Sequence, residues 1–273
     1  MLYICAMFKK RTFQAVALVL LAVLSISCSE YQKILNSSDY DLVYEKAKEY
    51  FEDEDYLRAS ALFLELMNVY KGTDRAEDVY YHYAYCYYHQ SDYVMAGYYF
   101  RQFVTTFPNS PQADECSFMN AFCYFEDSPN PNLDQTNTYK AINELQLYVN
   151  LHPASERIDE CNQLIDQLND KLVEKSFNSA KLYFELGDYK ASITALNNSL
   201  KTYPETRFRE ELMYLILKSS YDLARNSIES KVKERYENTI EAYYAFIEEF
   251  PETQHLREAE RIHATVQKAL GGE

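Results

Sequence analysis

The feature that most constrains this chain is a short proline motif that recurs four times, at intervals of 45 to 51 residues. In each copy an aromatic residue or histidine precedes the proline and a Ser or Thr follows two positions later: Phe107–Ser110, His152–Ser155, Tyr203–Thr206 and Phe250–Thr253. The proline ends one helix because it lacks the amide proton, and the hydroxyl is placed to cap the next helix. A repeat of this length predicts a helical solenoid.

The residues upstream of these prolines follow the tetratricopeptide pattern, with small alanines where two helices cross and aromatic residues filling the space around them. Two further copies are stretched by inserts at 128–137 and 225–232. The sequence therefore predicts an all-α tetratricopeptide-repeat solenoid of about five helix hairpins. The three clearest copies begin at Ala47, Ala84 and Ala180.

Composition agrees with an all-helical fold. Only 5 of the 273 residues are glycine and none is tryptophan, whereas 27 are tyrosine and 15 phenylalanine. Folds with tight hairpins or phosphate-binding loops need more glycine than this. The composition therefore excludes a nucleotide-binding loop of the usual kind.

One long helix is expected near the middle of the chain. Residues 158–186 contain neither proline nor glycine, and their apolar residues recur mostly at helical spacing. We expect a helix over 158–187, roughly 43 Å long at 1.5 Å per residue. It would join an N-terminal half of three repeats, residues 39–157, to a C-terminal half of two repeats, residues 158–273.

The N-terminus has the features of a lipoprotein export signal. A basic cluster at 9–11 precedes an apolar run over 13–24, and small residues then lead to Cys28. The sequence predicts a signal peptide over 1–27, a lipid on Cys28, and a tether over 28–38, with translation starting at Met1 or Met7. Because Ser29 rather than Asp follows the cysteine, we expect a lipid anchor in the outer membrane, facing the periplasm.

The charge of the chain argues against a nucleic-acid partner, and the spacing of its cysteines argues against a disulfide. The formal net charge is −15, so nucleic acid is not expected as a partner. Cys116 and Cys123 lie seven residues apart, about 10 Å along one helix, which is too far for a disulfide. We expect the cysteines that follow Cys28 to be small buried residues, and we expect no metal, no cofactor and no catalytic group.

Several segments resemble the BamD family of outer-membrane β-barrel assembly lipoproteins. They are the lipobox at Cys28, the run Ala84–Tyr88 with Arg101–Phe103 and Phe107–Ser110, and Asp134–Thr136 before Ala141. The family's Arg-Asp-Gln motif has Leu133 here in place of arginine. The resemblance implies a non-enzymatic scaffold. Its C-terminal repeats would bind the periplasmic domains of a BamA-type barrel, and its N-terminal repeats would recognise unfolded outer-membrane proteins.

The first helix of each tetratricopeptide repeat lines the concave face of the solenoid. Eight of the nine positions expected there in the first three repeats are aromatic, the ninth being Lys48. Such a wall suits an extended peptide with alternating apolar side chains, although a tyrosine-rich core would produce the same pattern. The eight are Tyr44, Phe51, Tyr81, Tyr85, Tyr88, Phe118, Phe122 and Phe125.

Two functions fit these features. The first is the BamD-type scaffold. The second is a different periplasmic tetratricopeptide lipoprotein, an adaptor in a cell-envelope, cell-division or nutrient-uptake complex. Carbohydrate-uptake lipoproteins with similar repeats normally use tryptophan platforms, which this chain lacks.

Overall fold

A computed structural model describes residues 31–271 of the chain, so the expected signal peptide and Cys28 lie outside the described residues. The described part contains helices and no strand. The chain divides into two compact units. The first comprises residues up to Asp127 and Asn143–Ile158, and the second comprises Ser128–Ile142 and the chain from Asp159 onward.

The first unit is a series of helices of nearly equal length. After a short helical stretch at 31–35, five helices follow one another, and each packs against the next. A sixth helix begins in the second unit and ends in the first. The helices are α1 (Tyr40–Glu52), α2 (Tyr56–Val69), α3 (Ala76–His89), α4 (Tyr93–Thr106), α5 (Ala113–Glu126) and α6 (Thr136–Leu151).

The second unit begins with the long helix expected from the sequence and continues as hairpins. The long helix has 28 residues, and four further helices follow it. From the second of these four onward, each helix packs on the one before it. The all-α tetratricopeptide-type fold is therefore confirmed. The helices are α7 (Ile158–Glu185), α8 (Tyr189–Thr202), α9 (Arg209–Arg225), α10 (Glu229–Glu249) and α11 (Leu256–Leu270).

The insert at 128–137 belongs to the second unit because it is fastened to α7. The Lys171 ammonium donates to the Ser128 hydroxyl at 2.8 Å, and the Lys175 ammonium donates to the Asn132 carbonyl at 3.0 Å. The sequence-based division of the chain at residues 157 and 158 stays a prediction.

Three hairpin turns, those between α1 and α2, α3 and α4, and α7 and α8, use one residue in the left-handed region, followed by an aspartate. Glu54 and Ser91 have φ near +60° and Gly187 has φ of +76°. The next residue is Asp55, Asp92 or Asp188, whose carboxylate accepts a hydrogen bond from the backbone amide three residues later. These aspartates start the second helix of each hairpin. Only one of the three left-handed positions is a glycine, so glycine content alone does not reveal these turns.

The Ser and Thr residues of the proline motifs are not N-caps of the following helix, contrary to the sequence expectation. The Ser110 hydroxyl accepts from the Gln112 amide at 3.3 Å, and the Thr253 hydroxyl from the His255 amide at 3.1 Å. The helix starts only after that residue, because a short turn separates the proline from the helix. The hydroxyl stabilises this turn.

The core positions follow the tetratricopeptide pattern. Ala47, Ala59, Ala84, Ala96 and Ala121 are all buried, which lets neighbouring helices approach closely. Within residues 31–271, no helix combines the length and apolar character needed to cross a bilayer.

Candidate functional site

The eight aromatic residues expected on the concave face come from α1, α3 and α5, all within the first unit. Seven are partly exposed, but Phe118 is only 2 % exposed and offers almost no surface. The Tyr148 ring packs against Phe118 at 5.7 Å, and the Arg157 guanidinium lies 4.5 Å from its ring centre. Phe118 is therefore a buried residue that stacks on Phe122 at 5.5 Å, and the helical pattern did not reveal its burial.

The partly exposed rings on α3 and α5 form a continuous row, which we call the aromatic row: Tyr81, Tyr85, Tyr88, Phe122 and Phe125. Ring centres of consecutive members lie 4.7 Å, 6.2 Å, 6.4 Å and 5.6 Å apart, and the last pair is stacked. The contact between Tyr88 and Phe122 crosses from α3 to α5. The row therefore spans neighbouring repeats and presents one apolar surface.

Tyr44 and Phe51 on α1 do not contact the row directly. The His82 ring lies between Phe51 and Tyr81, with centre distances of 4.9 Å and 5.5 Å. His89, one heptad further along α3, also contacts Phe51, at 5.9 Å. These two histidines were not among the aromatic residues expected on the concave face, which were all Phe or Tyr. Their spacing of seven residues on the helix was the available signal.

Carboxylates near the starts of the first helices accept hydrogen bonds from tyrosines of the neighbouring repeat. The Tyr44 hydroxyl donates to Asp78 at 2.5 Å, the Tyr85 hydroxyl to Glu115 at 2.6 Å, and the Tyr214 hydroxyl to Glu258 at 2.5 Å. Burial, and then these carboxylates, raise the pKa of each tyrosine. These tyrosines are therefore neutral donors at neutral pH, and they tie successive repeats together.

From the hydrogen bonds of the Asp78 carboxylate we expect the free energy of unfolding to fall at acid pH. Burial acts to raise the pKa of Asp78, but hydrogen bonds from His82 and Tyr44 lower it overall. The pKa of Asp78 in the folded protein therefore lies below the value of about 3.9 in the unfolded chain. The stabilisation that Asp78 contributes is complete above about pH 3.9, and it is lost as the pH falls through the pKa of the folded state. We expect Asp78→Asn to lower the free energy of unfolding by about 1 kcal/mol at pH 7, and by progressively less below about pH 4.

Urea unfolding across a pH series measures this effect. Asp74→Asn is the matched control, because Asp74 is exposed in the turn before α3, and it should leave the profile unchanged. A constant difference between Asp78→Asn and the original protein at every pH would contradict the assignment.

The second unit contains a cleft of about 400 Å³ bounded by α8, α9 and α10. Most of the residues that line it are apolar, and Arg235, Asn238 and Glu241 are among the polar ones. The apolar lining residues are Ile193, Leu200, Met213, Ile216, Leu223, Ala242 and Ala245. An apolar cleft with a few polar groups is typical of a binding site.

The four cysteines among the described residues are packed in the interior as reduced thiols. Cys86, Cys116, Cys123 and Cys161 are buried, and burial raises the pKa of the Cys86 and Cys123 thiols to about 12. A buried neutral thiol is a poor nucleophile. Among residues 31–271, no three His, Cys, Asp or Glu side chains converge as metal ligands.

Comparison with known families agrees with this architecture. A family described as outer membrane lipoprotein, named YfiO, matches residues 37–234, which cover most of the first unit and part of the second. The chain belongs to this outer membrane lipoprotein family. Proteins of this family, and helical-repeat scaffolds of this type, typically act as non-enzymatic protein-interaction modules.

No curated protein matches the chain. Among solved structures, the tetratricopeptide domain of P58(IPK) is 15% identical and aligns over 91% of this chain and 68% of its own, with a TM-score of 0.39.

Proposed function

We propose that the protein is a non-enzymatic scaffold for the assembly of β-barrel proteins into the outer membrane, a role of the BamD type. A lipid on Cys28 would hold it on the periplasmic side of that membrane. Membership of the outer membrane lipoprotein family supports this proposal. The segments Ala84–Tyr88 and Phe107–Ser110, which carry the resemblance to the BamD family, both lie in the first unit.

The observation that carries the proposal is the aromatic row. Outer-membrane strands alternate apolar and polar side chains and end in aromatic girdles. An unfolded segment of this kind exposes apolar side chains at every second position and aromatic ones near its ends, which the partly exposed rings of the row would accommodate. The N-terminal repeats would therefore bind unfolded outer-membrane proteins.

The C-terminal repeats are the proposed docking site for the periplasmic domains of a BamA-type barrel. Support comes from the apolar cleft between α8, α9 and α10, which is separate from the aromatic row. Its lining includes Arg235 and Glu241, so charged groups of both signs would orient a partner.

The decisive experiment is affinity capture of the protein from membranes after mild crosslinking. We expect a BamA-type barrel in the captured material. Ala242→Arg, which places a charge in the cleft, should abolish this capture. Glu237→Arg on the same helix is the matched control, because Glu237 is exposed and does not line the cleft. Recovery of envelope, division or uptake proteins without any barrel would favour the alternative adaptor role.

Loss of the anchor is expected to release the protein from the membrane. Cys28→Ser removes the thiol that would be acylated, so the protein should move to the soluble periplasmic fraction and lose fatty-acid labelling. Cys5→Ser is the control, since Cys5 lies within the expected signal peptide and should leave fractionation unchanged. Continued sedimentation of Cys28→Ser with the outer membrane would show that the anchor lies elsewhere.

A further inference from the structure

We propose that the aromatic row selects partner segments that carry a cationic side chain among their apolar ones. This inference rests on the proposed function of the row as a peptide-binding surface. It adds a preference for positive charge in the partner. The preference is inferred because, within the first unit, the rings of the row have no lysine or arginine over their faces, whereas two nearby rings do.

Two aromatic rings near the row, Tyr44 and Phe118, already have cations that the protein itself supplies. The Arg75 guanidinium and the Lys48 ammonium lie 5.1 Å and 5.7 Å from the ring centre of Tyr44 on α1, and Lys48 also pairs with the Asp78 carboxylate. On α5, the Arg157 guanidinium covers Phe118 at 4.5 Å. A cation over an aromatic face is attracted by the ring's negative π-surface. Both flanking rings are thus already occupied.

The row itself has no such cation. Among residues 31–271, no Lys or Arg lies over Tyr81, Tyr85, Tyr88, Phe122 or Phe125. His89 contacts the Tyr85 ring at 6.0 Å, but burial lowers the pKa of His89, so its ring is neutral at pH 7. The faces of these rings are left for a cation from a partner.

Carboxylates border the row where a partner's cation would sit. Glu115 accepts a hydrogen bond from the Tyr85 hydroxyl and also interacts with Tyr81. Because an ionised carboxylate has about four acceptor sites, it can still accept a hydrogen bond from a partner's cation. Glu126 is exposed at the last position of α5, directly after Phe125 of the row. Rings and carboxylates together match an arginine or lysine side chain.

The wider charge of the first unit favours the same partner. Residues 31–127 contain seventeen acidic and seven basic side chains. A field of this sign attracts cationic segments and repels acidic ones, and the attraction weakens as salt screens it.

The test compares two short synthetic peptides with the same phenylalanine spacing, one with arginine and one with glutamine at the intervening positions. We expect the full chain to bind the arginine peptide about tenfold more tightly at low salt, with the preference shrinking as the ionic strength rises. The double variant Glu115→Gln and Glu126→Gln should reduce the arginine peptide to the affinity of the glutamine peptide. Glutamine at position 115 still accepts the Tyr85 hydroxyl, so the melting temperature should change little.

A matched control removes two charges from the second unit, Glu229→Gln with Glu237→Gln, and should retain the preference. Equal affinity for both peptides would overturn the charge preference and leave the peptide-binding role intact. A preference that survives the double variant would also overturn it, because the carboxylates would then not be its source. Failure of both peptides to bind would overturn the proposed function of the row as well.

Discussion

Replacing Phe177 with proline is expected to unfold the second unit. Phe177 lies in the middle of α7, is 8 % exposed, and stacks on Phe208 with ring centres 4.3 Å apart. Proline removes one helical hydrogen bond and clashes with the preceding turn, at a cost of about 3 kcal/mol or more. Loss of the buried ring adds about 3–5 kcal/mol. Together these approach the whole stability of an ordinary domain.

Circular dichroism melting and limited proteolysis measure this outcome. We expect a large fall in melting temperature and a new cleavage site near residue 177. Phe177→Leu is the matched control, because it keeps the helix and an apolar side chain and should cost less than about 1.5 kcal/mol. An unchanged digestion pattern for Phe177→Pro would mean that α7 is not a continuous helix at this point.

Changing Tyr81, Tyr85 and Tyr88 together to serine is expected to abolish peptide binding and to weaken the fold. The three rings are partly exposed, but Tyr85 packs edge-on against the buried Phe100 at 4.9 Å. Each lost ring costs roughly 1–2 kcal/mol because only part of its surface is buried. The triple variant should therefore lose about 3–6 kcal/mol, with no measurable affinity for phenylalanine-containing peptides.

The triple change to phenylalanine separates binding from folding. It keeps the rings and removes only the hydroxyls, including the Tyr85 bond to Glu115, so it should lose about 1 kcal/mol of stability and keep its peptide affinity. Peptide titration and urea unfolding of both variants provide the comparison. Full peptide affinity in the serine variant would rule out the row as the binding surface. A complete failure of the serine variant to fold would identify these rings as core, and Tyr88→Ser alone would then test binding.

The repeat pattern of the sequence determined the fold class, because its physical requirements are local. Proline ends a helix wherever it occurs within one, and alanines at a crossing point allow close packing in any context. The long helix followed equally directly from the absence of proline and glycine, and α7 spans 158–185 of the expected 158–187. The helical phase of α3 also placed Tyr81, Tyr85 and Tyr88 on one stripe, which contacts between their rings confirm.

What the sequence by itself determined was therefore the helices, their order and which side chains share a face. Only the tertiary structure decided how much of each face is covered, because exposure depends on residues distant in the chain. Phe118 has the same helical phase as its exposed neighbours, yet it is covered by Tyr148 and Arg157 from later in the chain. The bridging position of His82, the attachment of the 128–137 insert to α7, and the cleft between α8, α9 and α10 likewise arise from contacts between separate elements. No local pattern encodes such contacts, since they form only when the helices pack.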